Sequence, residues 1–256
     1  MIKYILIFIF ATGLFANVIK SPILSVEHSS DTATIKIDNI NVGMSGFISH
    51  KLSNENSIIL KEITVVAYNK QTKIATLKMD NFNVLRHNSL PSGKWKVETG
   101  DTAILAFAYS RALLIAPNEE VYYRVTKSTS SLQWLHPDIF ATILSFNSHP
   151  TPLKKDFIAM SNTTSVGLVF FFIDGNLYTT DAKSFKILNI TDAPVIQDST
   201  KLPFYSRIEE IETTWYEFGA GTGKMSNYEN YYFKLLIENN PNNQKLQNLY
   251  NKYRSK

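Results

Sequence analysis

Apolar and polar positions alternate through most of the first hundred residues. Ile23-Leu-Ser-Val26 leads to a turn at His28-Ser-Ser-Asp31, and Ala33-Thr-Ile-Lys-Ile37 then alternates as a half-buried strand does. Val42-Gly-Met-Ser-Gly-Phe-Ile48 follows, with Gly43 and Gly46 placed for a strongly bent strand. Ile58 to Tyr68 is long enough to bulge, and Asn69-Lys-Gln-Thr72 turns it into Ile74-Ala-Thr-Leu-Lys-Met79, a hairpin. The Gly100-Asp101 pair launches a last buried strand that ends at Phe107. Short strands with glycine bends predict a small closed or half-closed antiparallel β-barrel. Trp95 is expected to plug one end of it, or else to stand exposed as a stacking surface.

The period changes after Tyr109, and the stretch from Tyr109 to Pro152 joins the two halves. Val121-Tyr-Tyr-Arg-Val125 reads as a strand. His136-Pro-Asp138 introduces a helix over 139–146, with Pro137 tolerated in its first turn. A second helix is expected over 153–160, then strands at 166–173, 176–180 and 185–190, with Asp174-Gly175 as a two-residue hairpin turn. Ile208 to Trp215 suits an amphipathic helix, 218–224 a flexible link, and Tyr228 to Glu238 an aromatic helix stopped by Asn239-Asn-Pro241. The tail from Lys245 suits a last polar helix with Leu246, Leu249 and Tyr253 on one face. The expected fold class is α+β: a small antiparallel β-barrel-like N-terminal domain, then an α+β domain with helices on one face of a mixed or antiparallel sheet. The expected boundaries are 1–16 for a signal peptide, 17–110 for the barrel, 111–220 for the α+β domain and 221–256 for a helical C-terminal tail.

Met1 to Ala16 alters the picture of where this fold resides. Lys3 precedes an apolar run, Tyr4 to Ala11, and Gly13-Leu-Phe-Ala16 ends on a small residue, as a cleaved secretory signal does. The run is short for a bilayer span, so an uncleaved anchor is the lesser alternative, and no later segment reads as transmembrane. The chain is therefore expected to be exported, to the periplasm or the outer cell surface, with no integral span once the signal is removed. There is no cysteine among the 256 residues, which excludes disulfides, thiolate metal sites, a Cys nucleophile and a lipidated Cys anchor. The formal net charge is +4, but the basic residues are scattered singly along strands, a solvated face and not a nucleic-acid stripe.

Candidate chemistry is sparse. Arg111 enters the apolar run Ala112-Leu-Leu-Ile-Ala and needs a partner if buried; Glu119 and Glu120, across the Pro117 turn, are the candidates for a structural ion pair. The competing use of Arg111 is an anion site. Gly219-x-Gly-x-Gly-Lys224 lacks the spacing of a phosphate loop, and Met225 stands where a magnesium-binding Ser or Thr belongs. His136 and His149 flank one helix with Asp138 nearby, the best zinc or acid–base candidate, yet both adjoin prolines, where capping and turn roles are commoner. Neither a catalytic site, nor a metal site, nor a cofactor is expected, and the chain does not read as an enzyme.

Several long strings are more specific than any short motif. They are Asn88 to Lys96, Ala108 to Glu120, Ser131-Leu-Gln-Trp-Leu-His-Pro-Asp-Ile-Phe-Ala141, Phe146 to Leu153, Asp181-Ala-Lys-Ser-Phe185 and Leu202-Pro-Phe-Tyr-Ser-Arg207. Through them the chain resembles the N-terminal domain of the bacterial plasminogen-binding protein PgbA family. The resemblance implies an exported protein that captures host plasminogen through its lysine-binding kringle domains. A kringle takes a lysine with an anionic site for the ammonium, a cationic site for a carboxylate and an aromatic trough for the stem. A terminal lysine offers both charges roughly 6–7 Å apart. The resemblance therefore points to Lys256, with Lys252 and Arg254 steering by charge. The alternative is a periplasmic envelope assembly or scaffolding factor with an envelope protein partner and no host role. A third reading, an envelope hydrolase using His136 and His149, has the least support.

Overall fold

The computed structural model describes residues 17–82, 95–195, 197–211 and 223–255. The expected signal peptide, the second half of the expected helix at 208–215, most of the 218–224 link, and Lys256 lie outside the described residues. Six strands form the first layer: β1 (Ile19–Glu27), β2 (Thr32–Lys36), β3 (Ser45–Lys51), β4 (Ser57–Asn69), β5 (Ile74–Asn81) and β6 (Thr102–Leu105). They close into a barrel in the order β1-β2-β5-β4-β3-β6, antiparallel at every junction, with β6 pairing both β3 and β1. Alternation along the strands points Ile35, Ile48, Ile63, Leu77, Ala103 and Leu105 into the interior, all at most 1% exposed.

Closure of so small a barrel requires sharp bending. β4 carries the expected bulge, between Val65 and Ala67, and a second at Leu60 opposite Ile48 and Ser49 of β3, and β1 carries another between Ile23 and Ser25. Gly46 on β3 faces Leu105 on β6, and the two backbones come so close that a Cβ at Gly46 would lie 2.0 Å from the Ile104 carbonyl oxygen. Trp95 does not plug the barrel. It is 53% exposed, and Val97, at 3%, is the residue of that extended segment that enters the core.

The second layer comprises β7 (Arg111–Ile115), α1 (Glu119–Ser128), β8 (Gln133–Leu135), α2 (Pro137–Phe146), α3 (Lys154–Thr164), β9 (Leu168–Ile173), β10 (Asn176–Asp181), β11 (Ile187–Asp192), α4 (Tyr228–Asn239) and α5 (Gln244–Arg254). Its sheet runs β11-β10-β9-β7-β8 and is mixed, with β7 parallel to both β8 and β9 and the rest antiparallel. Asp174 and Gly175 form the β9–β10 turn with φ of 48° and 71°, the left-handed pair such a hairpin requires.

The segment expected to be a strand at 121–125 is the helix α1. Asn118 caps it, its side-chain oxygen accepting from the Val121 N–H at 2.9 Å, and Glu119 and Glu120 sit in the first turn, where carboxylates complement the helix dipole. Val121, Tyr122 and Val125 then fall on one buried helical face.

Both faces of the sheet are covered, because β9 is apolar and buried at every position and β7 is so from Ala112 onward. Leu114, Leu168, Phe170 and Phe172 share one core with α1 and the barrel interior. The alternate residues Leu113, Ile115, Val169 and Phe171 share another with α2, α3, α4 and α5. The helices are thus not confined to one face, contrary to the sequence-based expectation: α1 lies opposite the other four. The helices of the expected tail pack into the sheet core, with Phe233 and Leu236 of α4 and Leu246 of α5 fully buried. Among the described residues no helix is long and apolar enough to cross a membrane.

Candidate functional site

Three of the strings that carry the resemblance meet beyond the carboxyl ends of β7 and β8. The segment around Pro203 returns there: the Lys201 N–H donates to the Pro117 carbonyl and the Tyr205 N–H to the Ala116 carbonyl, each at 2.7 Å. Phe204 buries its ring against Phe140 of α2 with centroids 5.5 Å apart. Tyr205 lies 5.4 Å from Tyr122, and Tyr122 lies 5.5 Å from the His136 imidazole. The Tyr205 hydroxyl donates to Glu119 Oε1 at 3.0 Å; burial and then the Glu119 carboxylate push this phenol well above its ordinary pKa.

Arg207 completes the cluster with two bonds to Asp138, from its backbone N–H at 2.8 Å and from Nε at 2.7 Å. Burial alone would raise the Asp138 carboxyl. The Arg207 N–H and guanidinium outweigh it, with His136 adding a smaller share, and hold the group below its ordinary value. A depressed carboxylate contributes stability that is fully present above its unfolded pKa and fades as pH falls through the folded one. The Asp138–Arg207 tether is therefore expected to add to thermal stability well above pH 3.8 and to disappear below it. Melting curves of the wild type and Asp138→Asn should converge as the solution is acidified through this range. A gap that persists at the acid end would show that the tether is not the source.

The histidines do not meet. His136 caps α2, its Nδ1 accepting from the Asp138 N–H at 3.3 Å, whereas His149 beyond the other end of α2 bonds Asp156 at 2.7 Å in a nearly closed environment. Ten residues of α2 separate these sites by about 15 Å. Asp156 also accepts from the Leu153 N–H, so this pair fixes the start of α3. Among the described residues no group of three His, Asp or Glu side chains could hold a metal. At the glycine-rich link, Lys224 pairs with Glu210, and Gly223 accepts from Thr151 through its carbonyl.

Arg111 does not form the expected ion pair. It starts β7, half-buried, while Glu119 and Glu120 lie past the far end of the strand, and a five-residue strand spans about 16 Å. Glu119 instead takes the Tyr205 hydroxyl, and Glu120 pairs with Arg124 one helical turn on, at 2.5 Å.

The buried carboxylate that matters for architecture is Asp181, which sequence reasoning quoted only inside a string. It ends β10 at 0% exposure and joins the two layers. Oδ1 accepts from the Lys183 and Ser184 N–H groups of its own turn, at 2.9 and 2.7 Å. Oδ2 accepts from the Ser45 N–H, the Ser45 hydroxyl and the Tyr109 hydroxyl, at 3.0, 2.6 and 2.7 Å. The turn it organises sends Ser184 Oγ to the Gly43 carbonyl and Lys183 Nζ to Glu62, both on the barrel side. The recognisable signal was an acidic residue closing a strand three positions before a serine, a pattern that favours a side-chain-capped turn.

The lysine candidates Lys252 and Arg254 lie on α5. α5 is fixed by Leu246 in the core, by Tyr250 and Tyr253 against Phe233 at 5.3 and 5.4 Å, and by Lys245 Nζ donating to the Ile190 carbonyl at 2.9 Å. Lys252 and Arg254 occupy its last turn, exposed, where cations complement the carbonyl end of the helix. Neither makes an ion pair among the described residues; the Arg254 guanidinium lies 5.8 Å from the Tyr250 ring centre.

Comparison with known proteins bears on this arrangement. The family model described as plasminogen-binding protein pgbA N-terminal matches residues 18–236, covering the barrel, the sheet layer and most of α4. The plasminogen-binding protein PgbA of Helicobacter pylori strain J99 is 29% identical over 208 residues, covering 77% of this chain and 43% of that protein. Its counterpart from strain 26695 is also 29% identical over 208 residues, covering 42% of its length. The chain thus spans less than half the length of these curated relatives. No solved structure matches it. The family model spans the barrel and the sheet and ends before α5, and this chain belongs to the family of PgbA N-terminal regions.

Proposed function

We propose that this protein is an exported, non-enzymatic plasminogen binder that presents lysines to kringle domains from the basic end of α5. The observation that carries the reading is the contrast within α5. One face is held by Leu246, Tyr250 and Tyr253, while Lys252 and Arg254 project from the last turn without an acidic partner among the described residues. Lys256 follows two residues later and would give a kringle its ammonium, with Lys252 and Arg254 raising the encounter rate. The names of the relatives support plasminogen as the partner. The apolar Met1–Ala16 segment supports export.

One observation favours a second reading, an envelope assembly or scaffolding factor. The relatives extend well beyond the part matched here, and plasminogen capture in them would then reside in the remainder. The test is binding of plasminogen by purified residues 17–256, with 6-aminohexanoate as competitor, and with Lys252→Ala and Lys256→Ala variants. The expected result is binding that the lysine analogue abolishes and that Lys256→Ala weakens by about tenfold or more. Absence of binding by the intact chain would favour the scaffold, and protection from protease added to whole cells would place it in the periplasm.

A further inference from the structure

We propose that the cavity between the barrel and the sheet layer is a binding site for a small carboxylate with an aromatic or short alkyl body. The cavity measures about 210 Å³ and lies where the two layers join, a preferred location for ligand sites. Its walls are apolar. Phe47 and Phe107 meet edge to face with centroids 5.3 Å apart, and Ile59 and Phe82 complete the surface. Phe107 is 59% exposed and Ile59 39%, large apolar side chains left facing solvent around one hollow. The floor is partly bare backbone at Gly167, where a Cβ would lie 2.5 Å from the Ala108 carbonyl.

Polar groups interrupt the apolar lining. Asn162 and Ser165, at the end of α3, line the cavity, and their side chains make no hydrogen bond among the described residues. Lys183 brings the one formal charge among the lining residues, and the Asp181 carboxylate behind Ser45 and Tyr109 is fully buried and already takes five neutral donors. Glu62 holds the Lys183 Nζ at 2.8 Å, using one of the three ammonium donors and leaving two for a ligand. An ammonium, an amide and a hydroxyl beside an apolar hollow match an acceptor head on a hydrophobic body. A cationic head would face the Lys183 charge.

Size narrows the class further. A dry cavity of about 150 Å³ admits benzene, so this hollow has room for one ring with a short acidic arm and excludes a full lipid. The inference is independent of plasminogen binding. It uses residues from β3, β4, α3 and the turn after β10, and none from α5.

The test is titration of purified residues 17–256 with three matched probes, phenylpropionate, phenylpropanol and phenylpropylamine, followed by amide chemical shifts. The expected order of affinity is carboxylate, then alcohol, then amine. Lys183→Met should weaken phenylpropionate by about tenfold and remove its advantage over the alcohol. Glu62→Gln should tighten phenylpropionate, because the ammonium then loses its competing anion. Phe107→Ala should weaken all three probes. These side chains are partly exposed, and a melting curve for each variant separates lost binding from lost folding. No binding of any probe, equal binding of the amine, or binding indifferent to both Lys183→Met and Phe107→Ala would overturn the proposal.

Discussion

Replacing Asp181 with alanine is expected to lower the unfolding free energy by about 3 kcal/mol or more, read by chemical denaturation. The carboxylate is completely buried and accepts five hydrogen bonds, all from neutral donors. Bonds to an ionised acceptor are stronger than neutral ones, and here they replace hydration that the side chain has wholly lost. Alanine would remove the carboxylate that the Tyr109 hydroxyl, the Ser45 hydroxyl and the Ser45 N–H share at the junction of the layers. Burial, and then the Asp181 charge, already push the Tyr109 phenol well above its ordinary pKa, so this hydroxyl stays a donor at any pH of interest. Asp181→Asn keeps the shape but turns an amide NH₂ toward donors, and should fall between alanine and wild type. Tyr109→Phe should cost about 1 kcal/mol and should not add to Asp181→Ala, since both remove the same bond. A cost below about 1 kcal/mol for Asp181→Ala, or full additivity, would show that the layers are joined by apolar contact alone.

Gly46→Ala should be nearly as damaging, at about 3 kcal/mol. The added Cβ would stand 2.0 Å from the Ile104 oxygen and 2.8 Å from the Leu105 Cα, and both obstacles are backbone. No rotamer relieves such a contact. Relief requires β3 and β6 to separate, and that pair is one of the two junctions made by the short strand that closes the barrel. Gly223→Ala is the matched control, because a Cβ there meets nothing within 4 Å. Thermal unfolding of the two variants should differ by many degrees. Equal melting temperatures would mean that the β3–β6 junction is looser than described.

Much of the fold was legible because local chemistry and burial agree. Ala33-Thr-Ile-Lys-Ile37 alternates and does form a strand against β1 and β5, and Asp174-Gly175 supplies the left-handed backbone its hairpin needs. Val121 to Val125 misled because two tyrosines and two valines have strong strand character. The Asn118 cap and the two glutamates after it outweighed that preference, as did the buried helical face they start. Trp95 misled for a different reason: its size suggested a plug, but the smaller Val97 fills the place.

The candidate sites divide along the same line. The family was readable from long strings, and the exposed basic end of α5 from its periodicity and its cations. The Asp138–Arg207 tether, the Tyr205–Glu119 bond and the Asp181 clasp each join residues far apart in the chain, and no local pattern announces a partner. Arg111 shows the converse, since proximity in sequence to Glu119 and Glu120 suggested a pair that the length of β7 prevents. The sequence alone determined the barrel, the period change after Tyr109 and the family, because short-range pattern and specific strings are properties of the chain itself. Only the tertiary structure decided that α1 lies on the opposite face of the sheet from the other four helices, that a buried carboxylate joins the two layers, and that Lys183 borders an apolar hollow. Those facts depend on which distant surfaces meet, which is set by packing the whole chain and by no segment of it.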